Sequence, residues 1–158
     1  MKPLGECRLR AATEADRDFL FTLFLSERQH QFANFAWSEE QTRQLLHMQF
    51  EAQRRHYSSR FPSAVHSIVL LNNEAAGQLY LDRQIDQFVV VDFALAADFR
   101  RLGIGSKIMA SVQADAAAAG IRITGHVDRT NPATQFWRHL GFHLTGEDCL
   151  YFKMEWRP

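Results

Sequence analysis

The sequence predicts an α/β protein, a mixed sheet with helices on its faces, built in the order β-α-α-β-β-β-α-β-α-β-β. Three observations predict it. Two stretches of helical period fill most of the first 60 residues, and three short β-branched or apolar runs follow at 66–71, 75–82 and 87–96. Those runs are broken by Asn72-Asn73 and by 84–86, as in a meander. Beyond them, helix and strand patterns alternate around single glycines.

Taken in order, residues 7–10 alternate small or apolar with charged side chains and suit a short strand. Thr13, with Asp16 three residues on, can cap a helix that carries Phe19, Leu20, Leu23 and Phe24 on one face. Ser38 opens a second helix. Glu39, Glu40 and Gln41 fill its first turn, where acids suit the dipole, and it runs through Leu45, Leu46, Met48 and Phe50 toward Tyr57 before Pro62. After the three central strands, Ile108, Met109 and Val112 mark a helix whose alanine-rich tail ends at Gly120, a natural C-cap. Residues 121–127 form a further strand. Asn131-Pro132 opens the next helix, which presents Phe136, Trp137 and Leu140 and stops at Gly141. Residues 142–145 and 149–156 close the chain as two strands.

At 158 residues, 46% hydrophobic and 23% charged, the chain can bury its core as one domain over residues 1–158 without a metal or disulfide staple. Cys7 and Cys149 lack C-x-x-C spacing and read as reduced thiols. Lys+Arg and Asp+Glu are each 18, so no net charge draws the protein to nucleic acid or to an anionic membrane surface. No apolar run approaches the ~20 residues of a membrane helix, and the first ten residues carry no apolar signal segment. A cytoplasmic protein is expected. The seven histidines contain no H-x-H pair, and no metal site is expected.

The most informative stretch is Asp98-Phe99-Arg100-Arg101-Leu102-Gly103-Ile104-Gly105-Ser106-Lys107, between a strand and a helix. Two glycines let the backbone turn tightly and gather N–H groups at a helix N-terminus, a nest for phosphate oxygens, while Arg100, Arg101 and Lys107 add local charge. For a lone G-x-G, close packing of a helix start would explain the glycines equally well. A Walker loop would need glycine at position 100, and a dinucleotide fingerprint glycine or alanine at 108, where Arg100 and Ile108 stand.

Arg100-x-x-Gly103-x-Gly105 resembles the [QR]-x-x-G-x-[GA] pyrophosphate loop of the GNAT acyltransferase superfamily. The chain is similar to that family in three further respects. Its element order agrees, Asn131-Pro132-Ala133 stands where the family has a coenzyme-contacting turn, and Trp137-Arg138-His139-Leu140-Gly141-Phe142 resembles its Y-x-x-x-G-F stretch. The resemblance covers nearly the whole chain. It implies an N-acetyltransferase that moves an acetyl group from acetyl-CoA to a primary amine of a small molecule or peptide, directly in a ternary complex. It further implies that Arg100, Arg101, Leu102, Gly103, Ile104, Gly105 and Ser106 hold the coenzyme pyrophosphate, and that Asn131 and Trp137 add contacts. The preceding strand, splayed from the next in this family, would offer Ala94, Leu95, Ala96 and Ala97 to the pantetheine arm. The Leu95 backbone N–H would meet the thioester carbonyl and stabilise its oxyanion, by ~3 kcal/mol at comparable sites. Homodimers are frequent in the proteins it resembles.

Acetyl transfer needs a neutral amine, and a lysine-like amine has a pKa of ~10.4, so a base or a water chain must take a proton. Asp92, sharing a strand face with Ala94 and Ala96 amid Val89, Val90, Val91 and Phe93, is the candidate base. A solvated or ion-paired strand aspartate is the alternative reading, and Tyr80 and Asp82 stand in reserve. Where many relatives carry a tyrosine that protonates the departing thiolate, this chain has Trp137, whose indole N–H is no proton source. A thiol of pKa ~8.5 can leave as the anion. The same substitution also fits a silent GNAT domain that binds acyl-CoA as a sensor or partner module.

For the acceptor, the resemblance implies the first two helices and their loop, about residues 26–57, together with the loop after the sixth strand. Arg28, Trp37 and a polar stripe of Gln49, Gln53 and Tyr57 are the candidates, with Gln29, His30, Gln31, Asn34 and Phe35 nearby.

Overall fold

The computed structural model describes residues 4–28, 32, 35–129 and 133–158. Seven strands, β1 (Cys7–Ala11), β2 (Val65–Leu71), β3 (Glu74–Arg83), β4 (Gln87–Leu95), β5 (Arg122–Asp128), β6 (His143–Glu147) and β7 (Tyr151–Trp156), form one sheet in the order β1-β2-β3-β4-β5-β7-β6. The β4–β5 pair is parallel and the other neighbours are antiparallel. Among the described residues, four helices, α1 (Arg17–Arg28), α2 (Glu39–Arg60), α3 (Ile104–Ala119) and α4 (Thr134–His139), complete the predicted element order.

Short polar signals set most of the boundaries. Ser38 and Gln41 form a capping box that opens α2. Thr13 and Asp16 form another, but the turn it opens is a 3-10 turn (Glu14–Asp16) that leads into α1 rather than the helix itself. The Asp16 carboxylate also accepts two hydrogen bonds of 2.8 Å from Arg10 on β1, so the same side chain anchors the helix start to the sheet. Asn72 and Asn73 take φ of 51° and 68° in the tight β2–β3 hairpin. The last strand begins at Tyr151 rather than at 149, because Asp148 Oδ1 accepts from the N–H groups of Leu150 and Tyr151 and holds them in a turn. The Asn131-Pro132 signal lies outside the described residues.

The sheet separates two apolar clusters. On one face α1 and α2 bring Leu20, Phe24, Leu46 and Phe50 against Ile68 and Leu70. On the other, α3 and α4 bring Ile104, Met109 and Trp137 against Leu79 and Val90. A slip in the β3–β4 ladder, which pairs Tyr80 with Asp92 but Leu81 with Val90, leaves Val91 as an extra residue. That bulge exchanges the two faces of β4. Phe88 and Val90 before it, and Phe93 and Leu95 after it, all pack on the α3 side. Asp92 is thereby turned to the α1/α2 side, where it lines a cavity with Phe24 and Phe50.

Candidate active site

The β4–β5 ladder runs from Gln87–Arg122 to Val90–Gly125 and stops. Past that point β5 continues against β7 to Asp128, and β4 continues against β3 to Leu95, so a cleft opens between them. Ala96 N–H donates to Ala76 O at 2.8 Å. Because antiparallel pairs alternate, the backbone groups of Phe93 and Leu95 then face the cleft rather than β3. Arg100 Nε donates to Leu95 O at 2.9 Å and ties the following turn back onto the strand. Gly77 of β3 sits so close beneath that a Cβ there would lie 2.2 Å from Ala94 O, which only a glycine avoids.

A 3-10 turn (Ala97–Phe99) follows β4, after which Arg101 at φ 62° and Gly103 at φ 87° swing the chain into α3. No side chain caps this helix, so the N–H groups of its first turn remain for another acceptor. Arg101, Leu102, Gly103, Ser106 and Lys107 are exposed around them, whereas Ile104 is buried. The two glycines have different reasons. A Cβ on Gly103 would meet nothing within 4 Å, so its conformation alone calls for glycine, while one on Gly105 would come 3.1 Å from Phe136. An exposed lip of amides and arginines beside a cleft is suited to an anionic ligand.

On the opposite face of the sheet, α1 and α2 enclose a cavity of about 310 Å³. His66, Tyr80 and Asp92 stand side by side across β2, β3 and β4 and point into it. His66 Nε2 donates to Gln78 Oε1 at 2.7 Å, and Gln78 Nε2 donates to Asp92 Oδ2 at 3.3 Å. Burial raises the Asp92 carboxyl above its ordinary range, against the opposing pull of Arg28 and of the Phe93 N–H. Glu27, at the end of α1, is pushed up to about 7 by burial and then by the negative charge of Asp92. Burial and the same charge hold Tyr57 as a neutral phenol, and burial keeps His66 below its usual range. Two carboxyls that resist simultaneous ionisation can take and hold a proton, and an arriving cation would relieve their repulsion.

The family model described as an acetyltransferase (GNAT) domain matches residues 43–144, which include most of α2, the cleft, the glycine turn and α4. The chain belongs to the GNAT acetyltransferase family. It is therefore an acyltransferase by family. Among solved structures, it is similar to PaiA N-acetyltransferase from Thermoplasma acidophilum in complex with coenzyme A, at 16% identity and a TM-score of 0.73 over 97% of this chain and 99% of that one. It is also similar to an acetyltransferase from Thermus thermophilus, at 16% identity and a TM-score of 0.67 over 96% and 97%. A GCN5-related N-acetyltransferase from Rhodopseudomonas palustris matches at 17% identity and a TM-score of 0.66 over 100% and 99%. At these identities the likeness is one of fold. No curated protein matches the sequence.

Within this GNAT fold the acceptor candidates separate. The Arg28 guanidinium lies 3.9 Å over the Phe24 ring and acts on Asp92, and Gln53 and Tyr57 line the cavity. Gln49 is exposed and does not line it. Residues spaced by four rotate about 40° per step on an α-helix, so the stripe from Tyr57 back to Gln49 slants out toward solvent. Trp37 lies elsewhere, in a second cavity of about 580 Å³ with Phe32 and Phe35. Of the two reserve bases, Tyr80 lines the first cavity, stacked 4.6 Å from His66. Asp82 is buried away from it and accepts from Gln84 Nε2 at 2.9 Å.

Trp137 is buried among Phe93, Phe136 and Phe142, with ring centroids 5.1 to 6.1 Å apart. Asn131, Gln29, His30, Gln31 and Asn34 lie outside the described residues. Among the described residues, no group of three His, Cys, Asp or Glu could hold a metal, and no helix is long and apolar enough to cross a membrane.

Sequence reasoning passed over Glu27, His66, Gln78 and Gly77. Glu27 stands one residue before the end of an ordinary amphipathic helix, and its raised carboxyl arises from burial in the fold and then from the charge on the strand opposite. His66 and Gln78 face the cavity by strand register, a period-two signal that was present but unremarkable among the polar residues of the sheet.

Proposed function

We propose that the chain, acting over its whole length as one GNAT domain, transfers the acetyl group of acetyl-CoA to a primary amine seated in the cavity between α1, α2 and the sheet. The observation that carries this reading is the position of Asp92. It lies on β4 just beyond the point where β4 parts from β5, facing the cavity from a strand whose edge faces the cleft.

In this reading the amides of residues 101–106 and the arginines beside them take the coenzyme pyrophosphate, and the backbone groups of Phe93 and Leu95 that face the cleft take the pantetheine arm, those of Ala94 and Ala96 being turned to β3 rather than free for it as the resemblance implied. The acceptor enters as an ammonium and gives a proton to Asp92. Its nitrogen then attacks the thioester carbon, the C–N bond forms, the C–S bond breaks, and the Leu95 N–H stabilises the oxyanion in between. No phenol stands at position 137, so the thiolate leaves as the anion, and the second proton that the nitrogen sheds as the amide forms passes to solvent. Arg28 and Gln78 keep enough of Asp92 ionised for it to act as the base, while burial keeps its pKa high enough to receive the proton. A cytoplasmic setting, where acetyl-CoA is made and thiols stay reduced, fits the two unpaired cysteines.

The test is thiol release from acetyl-CoA across a panel of small amines, amino acids and peptide N-termini. Amine-stimulated release supports the reading. Binding of acetyl-CoA with no release for any amine would instead make the protein an acyl-CoA-binding module.

A further inference from the structure

The acceptor cavity is electrically lopsided. At the β4 end stand Asp92 and Glu27, opposed by Arg28. At the β2 end stand arginines from α1 and α2, and the Arg54 guanidinium acts on His66 and Tyr80 rather than on Asp92. His66 and Asp92 are separated by one intervening strand in register, which puts the two ends on the order of 10 Å apart.

The cationic end is the less satisfied one. Arg17 is paired with Glu51 and with Glu14, and Arg54 Nη2 reaches Glu14, whose side chain is otherwise mostly solvated. Arg54 Nη1 is buried with no hydrogen-bond partner among the described residues, and Arg55 lines the cavity without an ion pair among them. A buried charged donor without an acceptor is costly, and a guanidinium is matched best by the two oxygens of a carboxylate.

We propose that the Arg54 and Arg55 end of the cavity is a subsite for an anionic group on the acceptor, so that the preferred substrate is a small amine carrying a carboxylate several ångströms from its nitrogen. The ω-amino acids and the N-termini of dipeptides have that shape. In an α-amino acid the two groups are too close together to engage both ends at once. The proposal rests on the acetyltransferase reading for its amine end only. The carboxylate end is a statement about binding and can be tested apart from turnover.

Two matched pairs test it, 5-aminopentanoate against pentylamine and glycylglycine against glycylglycinamide, assayed by thiol release from acetyl-CoA and by calorimetric binding in the presence of coenzyme A. The carboxylates are expected to exceed their uncharged partners at least tenfold in kcat/KM. In Arg54→Gln, and more so with Arg55→Gln added, that ratio should fall to within about threefold, with circular dichroism showing the fold retained. If no amine is acetylated but the carboxylates still bind more tightly in an Arg54-dependent way, the subsite stands and the catalytic reading falls. Equal handling of both members of each pair, or a preference that survives both substitutions, would overturn the subsite.

Discussion

Gln78 donates its side-chain amide to Asp92 Oδ2 at 3.3 Å, across the β3–β4 pair. The amide is held the right way round because His66 donates to its other end at 2.7 Å. A donor on the carboxylate favours the charged form, so Gln78 offsets part of the effect of burial. Replacing it by leucine removes that offset. In Gln78→Leu the rising limb of kcat/KM against pH should move to higher pH, because the charged carboxylate loses a donor. An unmoved limb would show that the contact does not tune the base.

Glu27 acts in the opposite direction. Its negative charge and that of Asp92 oppose each other, so the pair holds a proton to higher pH than either would alone. Glu27→Gln removes the repulsion, and the limb should then move to lower pH. A pH titration of kcat/KM with a single good amine reads both variants on one scale.

Gly103 and Gly105 should fail in different ways. Gly103→Val puts a side chain into open space at φ 87°, at the mouth assigned to the pyrophosphate. It should cost on the order of 1–2 kcal/mol of backbone strain and weaken coenzyme A binding far more than that strain explains. Gly105→Val drives into Phe136 and Phe93, and it should lower the melting temperature more than Gly103→Val does. Calorimetry with coenzyme A beside thermal unfolding separates the two. Unaltered coenzyme affinity in Gly103→Val would remove the turn from the site.

Away from the site, Asp16 joins the α1 cap to Arg10. The Arg10 hydrogen bonds, helped by the Thr13 N–H, lower its carboxyl to about 2. A depressed carboxyl stabilises the fold above its unfolded pKa of ~3.9 and loses that contribution as the pH falls toward its folded value. Asp16→Asn should therefore cost about 1 kcal/mol at neutral pH, the usual worth of a cap, and should flatten the acid dependence of stability between about pH 4 and 2. Urea unfolding at several pH values checks both.

The element order and most boundaries were legible because they depend on local chemistry: Ser38 with Gln41, the paired asparagines at 72 and 73, Gly120 and Gly141. The glycine turn was legible for the same reason. What was not legible depends on pairing between distant strands. The bulge at Val91 leaves no mark in a run of valines, yet it decides which face Asp92 takes. The need for Gly77 comes from Ala94 O on the neighbouring strand, and the perturbed carboxyl of Glu27 comes from burial in the assembled fold and then from Asp92, 65 positions away in the sequence. Even spacing draws Gln49 into the acceptor set, whereas the inner face of α2 follows Leu46, Phe50, Gln53 and Tyr57.

The most direct measurement is the pH profile of acetyl-CoA-dependent, amine-stimulated thiol release in the wild type and in Asp92→Asn. The account predicts that wild-type kcat/KM climbs through a limb lying above the ordinary carboxylate range, and that Asp92→Asn loses that limb with a fall in rate of about 10²-fold or more. A profile and rate left unchanged by Asp92→Asn would contradict it.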